Sequence, residues 1–515
     1  MLRLLQHRMD RYVPEPHPNL TDSMKQKEDS AIPTIAEAPE RVPDRIESVG
    51  KRFGGAFGIR VLLPLLLVLT LPGSLHAQFQ YETNNGSITI IGYDGPGGTV
   101  IIPDSINSLP VTRIADMAFI EQTNLTSVTI ADGVLNIGID AFNSCSSLTN
   151  IVIGTSVTRI GEAAFVNCAR LTSVTIPDSV LSIEAGAFGL CRTLNSATIG
   201  NSVTNIGDLA FADTKLSHVT IPNSVTTIGN SAFRGTSLTS VTIPNSVSHI
   251  GSAVFGECTN LATIAVDPFN PVFGSVDGVL FNASHTVLLE YPPGRTGGYT
   301  VPDSALSIGD GAFVGCSKLT GVTIGNGLTN IAPEAFAYCS SLTHVTIGNN
   351  VRRIQFMTFA SCSNLVSVTL GNSVSSLGLW AFIDCTRLAE VYLSGDAPSI
   401  VDPAAFQNST NAIVYYLPGT SDWGTSFGGR PTALWQLPYP VILDSASSFG
   451  VRTNQFGFVV SWATNVAVVV VEACTNFATP SWVPMSTNAL DAGAAHFGDP
   501  QWTNSRSRFY RARSL

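Results

Sequence analysis

The sequence predicts a repeat solenoid built from short stacked strands, followed by a small all-β module. Three observations predict it. Phenylalanine recurs at Phe119, Phe142, Phe165, Phe188, Phe211, Phe233 and Phe255, and again at Phe313, Phe336, Phe359, Phe382 and Phe406, at steps of 22 to 24 residues. A fixed period in this range marks stacked supersecondary units rather than a single globular core. Each unit also carries the same polarity pattern, and beyond residue 437 both the period and the pattern stop.

Within a unit the elements follow in order. The segment 171–176, LTSVTI, places apolar residues at its first, fourth and sixth positions, and its end alternates with period two, as a half-buried strand does. Pro177-Asp178-Ser179 then predicts a turn, repeated as Pro222-Asn223-Ser224 and Pro244-Asn245-Ser246. Proline presets φ and Asn or Asp tolerates turn geometry. A second short apolar pair follows, as at Val225 and Ile228, and Gly229 leads into a turn bearing Ala232 and Phe233. One unit cannot bury its own apolar edge. Stacking turns Leu171, Leu194, Leu216 and Leu238 into one column and the phenylalanines into another, with parallel strands at about 4.8 Å per layer.

The unit LTSVTIPNSVTTIGNSAF resembles the BspA-type leucine-rich repeats of bacterial surface and secreted proteins, over residues 80–437. The resemblance implies a β-rich α/β, right-handed leucine-rich-repeat superhelix, with strands on one face and short helical turns on the other. It also implies binding and adhesion to extracellular partners, and it supplies no catalytic residues.

Two departures from the period set the domain organisation. The long step from Phe255 to Phe313 holds one enlarged unit. Segments 276–281 and 286–291 flank Asn282-Ala-Ser-His285 and predict a hairpin insertion at 267–298, projecting from the stack as a ligand-contacting element or a tolerated ornament. Residues 86–103 and 412–417 read as the end caps of a solenoid spanning 78–437. In 438–515, segments 456–462, 466–474, 481–485 and 508–513 read as strands of a sandwich-like module, with Trp462, Trp482 and Trp502 available for its core. Its role is that of a spacer, a sorting element or a surface-retention element.

Composition narrows the function. Of 515 residues only 12% are charged and the net charge is −10. A charge-rich disordered chain is excluded, and an acidic chain this poor in lysine and arginine is a bad match to nucleic acid. The apolar run at 61–71, VLLPLLLVLTL, follows Lys51, Arg52 and Arg60 and ends in Leu75-His76-Ala77. A basic stretch, a short apolar core and a small residue at the cut predict a signal peptide over 51–77, cleaved after Ala77. The run is too short to span a membrane. Residues 1–50 are then a disordered leader or the product of a misassigned start. The mature chain is expected to be secreted, and to remain at the cell surface only if something else retains it.

No catalytic constellation emerges. Cys145, Cys168, Cys191, Cys258, Cys316, Cys339, Cys362 and Cys385 each fall three residues after the repeat phenylalanine, where other units use Gln122, Thr214, Thr236 and Ser409. That exchange pattern reads as a buried packing and hydrogen-bonding ladder; some disulfides are the alternative, and no CxxC pair suggests zinc. His218 and His344 share a strand position but lie at least five layers apart, too far for one site. No GxSxG, HExxH or phosphate loop occurs. No cofactor or metal is expected.

The outward strand positions carry a ladder of threonines, among them Thr129, Thr175, Thr198, Thr220, Thr242, Thr323, Thr346 and Thr369. β-propensity alone accounts for threonine there, and a binding face uses the same residues. The expected contact residues are Ser173, Thr175, His218, Thr220, Ser240, Thr242, His344, Thr346, Glu390 and Tyr392, with Tyr392 as the aromatic anchor. The functional expectation is a non-enzymatic interaction protein for an extracellular protein partner. The alternative is a carbohydrate-binding or structural envelope component.

Overall fold

The computed structural model describes residues 78–444, 448–452, 455–462, 468–476, 480–504 and 507–514. The expected leader over 1–50 and the signal over 51–77 lie outside the described residues. The layer beginning at Leu171 shows how the sequence builds the stack. Leu171, Val174 and Ile176 are buried, while Ser173 and Thr175 between them are exposed. The turn that follows is stitched to its neighbour, with the Ser179 hydroxyl donating to the Val157 carbonyl at 2.7 Å. A two-residue strand, Ser182–Ile183, and the Phe188 turn complete the layer.

The layers stack through two parallel ladders. The short-strand ladder runs unbroken from the N-terminal hairpin, Phe79–Asn84 and Ser87–Tyr93, through Leu109–Ile114 to His249–Ile250. Its rungs hold Ile114, Ile137, Ile160, Ile183, Ile206, Ile228 and Ile250 in register. The long-strand ladder is fragmentary in this half of the solenoid. Ser173–Thr175 pairs with Ser196–Thr198, and Ser240–Ile243 with Thr263–Val266, but the layer between them, 216–221, forms no strand. After the insertion the balance reverses. Gly297–Thr300, Leu319–Ile324, His344–Ile347, Ser367–Leu370, Glu390–Leu393, Ile413–Tyr416 and Arg430–Leu434 form one continuous parallel series.

The phenylalanines stack face to face inside. Ring centroids lie 4.8 to 5.8 Å apart from Phe119 to Phe255. A second stack runs from Tyr291 to Phe406, with Tyr291 4.9 Å from Phe313 in the place of the missing phenylalanine. Layer spacing also explains a repeated glycine. A Cβ on Gly161 would come within 2.6 Å of the Gly138 backbone, so any larger residue pushes the layers apart.

The short helical turns implied by the resemblance, and with them the α/β class, are corrected by the structure: no α-helix occurs among the described residues. Residues two before and two after a repeat phenylalanine adopt positive φ in most layers, as at Ala163 and Asn167 around Phe165. A helix cannot propagate through a left-handed residue. The alternating turn instead points the amides of Ala163, Phe165 and Asn167 at the carbonyls of Ala185, Ala187 and Gly189 in the next layer, at 2.8 to 2.9 Å. Hydrogen bonds between layers thus replace those within a helix.

The insertion is folded into the stack, contrary to the expected projection. Phe273–Val276, Val279–Asn282 and Val287–Glu290 form an antiparallel meander, and the last strand pairs in parallel with Ser307–Ile308 to restart the short-strand ladder. Val279, Leu280, Phe281 and Leu288 are fully buried, because the meander fills the seam between two core segments. Glu290 is buried there as well. Its Oε1 accepts the Phe255 amide at 2.7 Å, a group that in regular layers donates to the next turn.

In the C-terminal region, Gln455–Ser461 pairs antiparallel with Val441–Leu443, Phe449–Arg452 and Ala494–Asp499. Val468–Cys474 pairs with Val483–Ala489 and Phe509–Ser514. Phe458, Val460, Val469, Val471 and Phe497 share one core between these two sheets. Of the three tryptophans expected in that core only Trp462 belongs to it. Trp482 is half-buried and lies under the Arg511 guanidinium at 4.5 Å, and Trp502 sits half-buried beside Phe456. Both indoles therefore lie toward the margin, where a polar tip can stay wet.

Candidate binding face

The long strands turn alternate side chains outward, so each layer offers two residues to solvent. Ser173, Thr175, His218, Thr220, Ser240, Thr242, His344 and Thr346 are all exposed, and Glu390 and Tyr392 are half-buried. They do not form one site. Ser173 to Thr242 lie before the insertion, and His218 and Thr220 stand on the one layer that makes no strand. His344 to Tyr392 lie after it, on paired strands.

Register makes the second group continuous. His344 aligns with Ser367 and Ser367 with Glu390, while Thr323, Thr346, Thr369, Tyr392 and Tyr415 align in a neighbouring column. The column changes character along its length, from hydroxyls to aromatic rings. Tyr392 and Tyr415 stack at 5.0 Å, and the Trp435 ring lies 4.7 Å from Tyr392. The Trp435 amide donates to the Tyr416 carbonyl at 2.7 Å, which holds the indole at the end of the face. Burial pushes the Tyr392 phenol up to about 12, and the adjacent Glu390 carboxylate adds to the effect.

The repeat signature described as the BspA type leucine rich repeat region matches residues 112–238, 226–271 and 297–413, in six copies and over more than half of the chain. The chain belongs to the BspA-type leucine-rich repeat family. Among solved structures, a leucine rich cell surface protein from Faecalibacterium prausnitzii A2-165 is 27% identical, with a TM-score of 0.54 over 68% of this chain and 97% of that one. The pneumococcal vaccine antigen PcpA is 21% identical, with a TM-score of 0.51 over 70% of this chain and 98% of its own, and shows the same fold. No curated protein matches the sequence.

In this BspA-type array the cysteines occupy the interior. All eight ladder cysteines, and Cys474, are buried and free. The thiols of Cys145, Cys168, Cys191, Cys258, Cys339, Cys362 and Cys385 donate to the phenylalanine carbonyl of the preceding layer at 3.1 to 3.2 Å, and Cys316 approaches the Tyr291 carbonyl at 3.8 Å. Where serine replaces cysteine, Ser409 donates to the Phe382 carbonyl at 2.6 Å. Burial pushes the Cys145 and Cys258 thiols up to about 12, so they stay protonated. Among the described residues no group of three or more His, Cys, Asp or Glu is placed to hold a metal ion. No helix among them is long and apolar enough to cross a membrane.

Sequence reasoning missed Tyr415 and Trp435. Tyr415 was within reach, since it follows Tyr392 by one 23-residue period. Trp435 lies outside the repeat pattern, and only the fold of the last strand brings it to the face.

Proposed function

We propose that this protein is exported, with cleavage after Ala77, and that its solenoid over 78–437 presents the strand face to an extracellular protein partner without catalysing a reaction. The observation that carries this reading is the continuous parallel series from Gly297–Thr300 to Arg430–Leu434, which aligns exposed hydroxyls with His344, Glu390 and an aromatic cluster. A rigid, already ordered array loses little entropy on binding. The family supports a surface-interaction role, and the description of the Faecalibacterium relative as a cell surface protein supports the location. The exposed group from Ser173 to Thr242 would be a second, weaker contact, because its ladder is interrupted. The module over 438–515 would act as spacer or retaining element. A carbohydrate partner is the second reading, favoured by the hydroxyl ladder beside aromatic rings.

The test compares the full chain with a variant carrying Thr323→Ala, His344→Ala, Thr346→Ala and Thr369→Ala, on immobilised extracellular-matrix proteins and on a glycan array. Protein binding weakened at least tenfold in the variant supports the reading. Unchanged protein binding removes the strand face from the account, and binding confined to glycans selects the second reading. Protease shaving of intact producing cells tests export: retention of the chain inside shaved cells would overturn it.

A further inference from the structure

On the seven strands of the continuous series the only residues with a formal charge are Glu390 and Arg430. Arg430 is already engaged, donating to the Ser409 carbonyl at 3.4 Å. The described ion pairs of the solenoid join Arg113 to Asp116, Arg159 to Glu184 and Arg234 to Glu257, and none involves Glu390. Glu390, the one carboxylate on these strands, therefore stands beside Tyr392 and the aromatic rings that stack on it. We infer that Glu390, Tyr392, Tyr415 and Trp435 form a docking site for a lysine or arginine side chain of the protein partner.

The chemistry follows from the groups. Aromatic rings carry a negative face that attracts cations, with tryptophan the strongest of the three. A half-buried carboxylate beside them adds a full opposite charge where solvent screens it less than on an open surface. The cluster is also fixed in advance. Tyr392 and Tyr415 sit on paired strands, and Trp435 is held by its amide bond to Tyr416 and packs against the cluster of Leu417, Leu443 and Val459. Charge complementarity selects the occupant: the chain has a net charge of −10, and a basic segment is what such a surface attracts. The inference rests on the strand face being the protein-binding surface, and it names which chemistry of partner that surface takes.

The probe is the neutral-backbone peptide acetyl-Gly-Lys-Gly-Lys-Gly-amide, with its Nε-acetylated form as control, titrated into the full chain and followed by calorimetry. Binding weakened at least tenfold by lysine acetylation, by Glu390→Gln and by Tyr415→Leu, and weakened by added salt, is the expected result. Glu390→Gln keeps the shape of the side chain, so an unchanged melting temperature separates lost charge from lost fold. Equal affinity for both peptides, no detectable binding, or binding of neutral oligosaccharides alone would overturn the inference. Should the peptide fail while the threonine and histidine substitutions still weaken binding to a matrix protein, the cation site falls and the protein-binding face stands. If the peptide binds as expected and those substitutions change nothing, the site stands and the wider face falls.

Discussion

The two halves of the solenoid share one repeat grammar and distribute their strands differently. Before the insertion the two-residue strands form the unbroken ladder, while the long strands come in one group of three (Gly98–Ile102, Leu125–Ile130 and Asn150–Val152) and two pairs. After it the long strands run unbroken through seven layers. One of the two breaks in the long ladder, at 216–221, coincides with a small change in spacing; the other, between Asn150–Val152 and Ser173–Thr175, does not. Leu194 follows Cys191 by three residues, but Leu216 follows Thr214, and Leu238 follows Thr236, by only two. The shortened approach falls directly before the long strand, and 216–221 is the segment that fails to pair. The core columns tolerate the missing residue, since Phe211 and Phe233 still stack at 5.5 Å. Side-chain columns thus hold the layers together even where a backbone ladder lapses, and the more regular half is the one with a continuous face to offer.

The largest effect is expected from the phenylalanine columns. Phe188 and Phe336 are both fully buried and belong to different core segments. Substituting a buried phenylalanine by alanine costs about 3–5 kcal/mol. In a stack of nearest-neighbour contacts the damage stays local. Phe188→Ala should therefore lower a transition belonging to the first half in urea denaturation, and Phe336→Ala one belonging to the second, as read by site-resolved hydrogen exchange. If both variants lower the same single transition, the halves are one cooperative unit and the seam is no boundary.

The seam itself provides the next test. Glu290 is buried and accepts a backbone hydrogen bond, and burial pushes its carboxyl up from 4.5 to about 8. Cys258, a buried thiol, is the titratable group that faces it. A carboxyl whose pKa is raised on folding contributes its stability fully below about pH 4.5 and loses it as the pH climbs through about 8. Over that window the chain should lose up to about 1.4 kcal/mol per pH unit from this one group. Glu290→Gln keeps an acceptor for the Phe255 amide and removes the titration. Its melting temperature should exceed that of the parent at pH 8 and approach it at pH 4.5; parallel pH profiles would show that Glu290 does not govern the seam.

A smaller and sharper contrast lies in the thiols. The ladder cysteines of both halves are buried, and burial raises Cys145 and Cys339 alike. Since the thiolate is the reactive form, native protein at pH 8 should be alkylated at none of the ladder positions within an hour, and at all of them once denatured, by mass spectrometry of tryptic peptides. Selective labelling at Cys145, Cys168 and Cys191 would mean that the half with the broken ladder opens more readily.

Much of this was readable in the sequence, for a physical reason. Buried columns demand one residue type at one spacing, so Phe119 to Phe406 and the cysteine positions announce themselves. Signals failed where the period ends. A two-residue strand such as Asn136–Ile137 is too short to show alternation, so the longer ladder of the first half went unseen. The hairpin of the insertion was visible, but its burial was not, since Val279 to Phe281 are as apolar as an exposed patch would be. Helical turns were expected on resemblance alone; glycine marks the left-handed positions in only some layers, as at Gly186 and Gly235, while Ala163 and Asn167 take positive φ without it. On the binding face the threonine positions could be counted off, but Trp435 reaches Tyr392 only through the fold.

The subtlest prediction goes to the origin of the contrast. If the missing residue before Leu216 breaks the long ladder, then inserting one serine between Thr214 and Lys215 should restore the three-residue approach seen at Cys191 and Leu194. The restored segment would pair with Ser196–Thr198 on one side and with Ser240–Ile243 on the other, adding hydrogen bonds where Val219 and Thr220 now make none within a strand. Each net hydrogen bond contributes about 1 kcal/mol, and the added loop residue offsets this. With about two new bonds set against roughly 1–2 kcal/mol for fixing one more backbone residue, global stability should move by about 1 kcal/mol or less. Amide exchange at 217–221 should slow at least tenfold, because exchange reports the local opening of each amide rather than the stability of the whole. Unchanged exchange would place the cause of the break elsewhere, in the second shortened approach before Leu238, where the same insertion can be made and read in the same way.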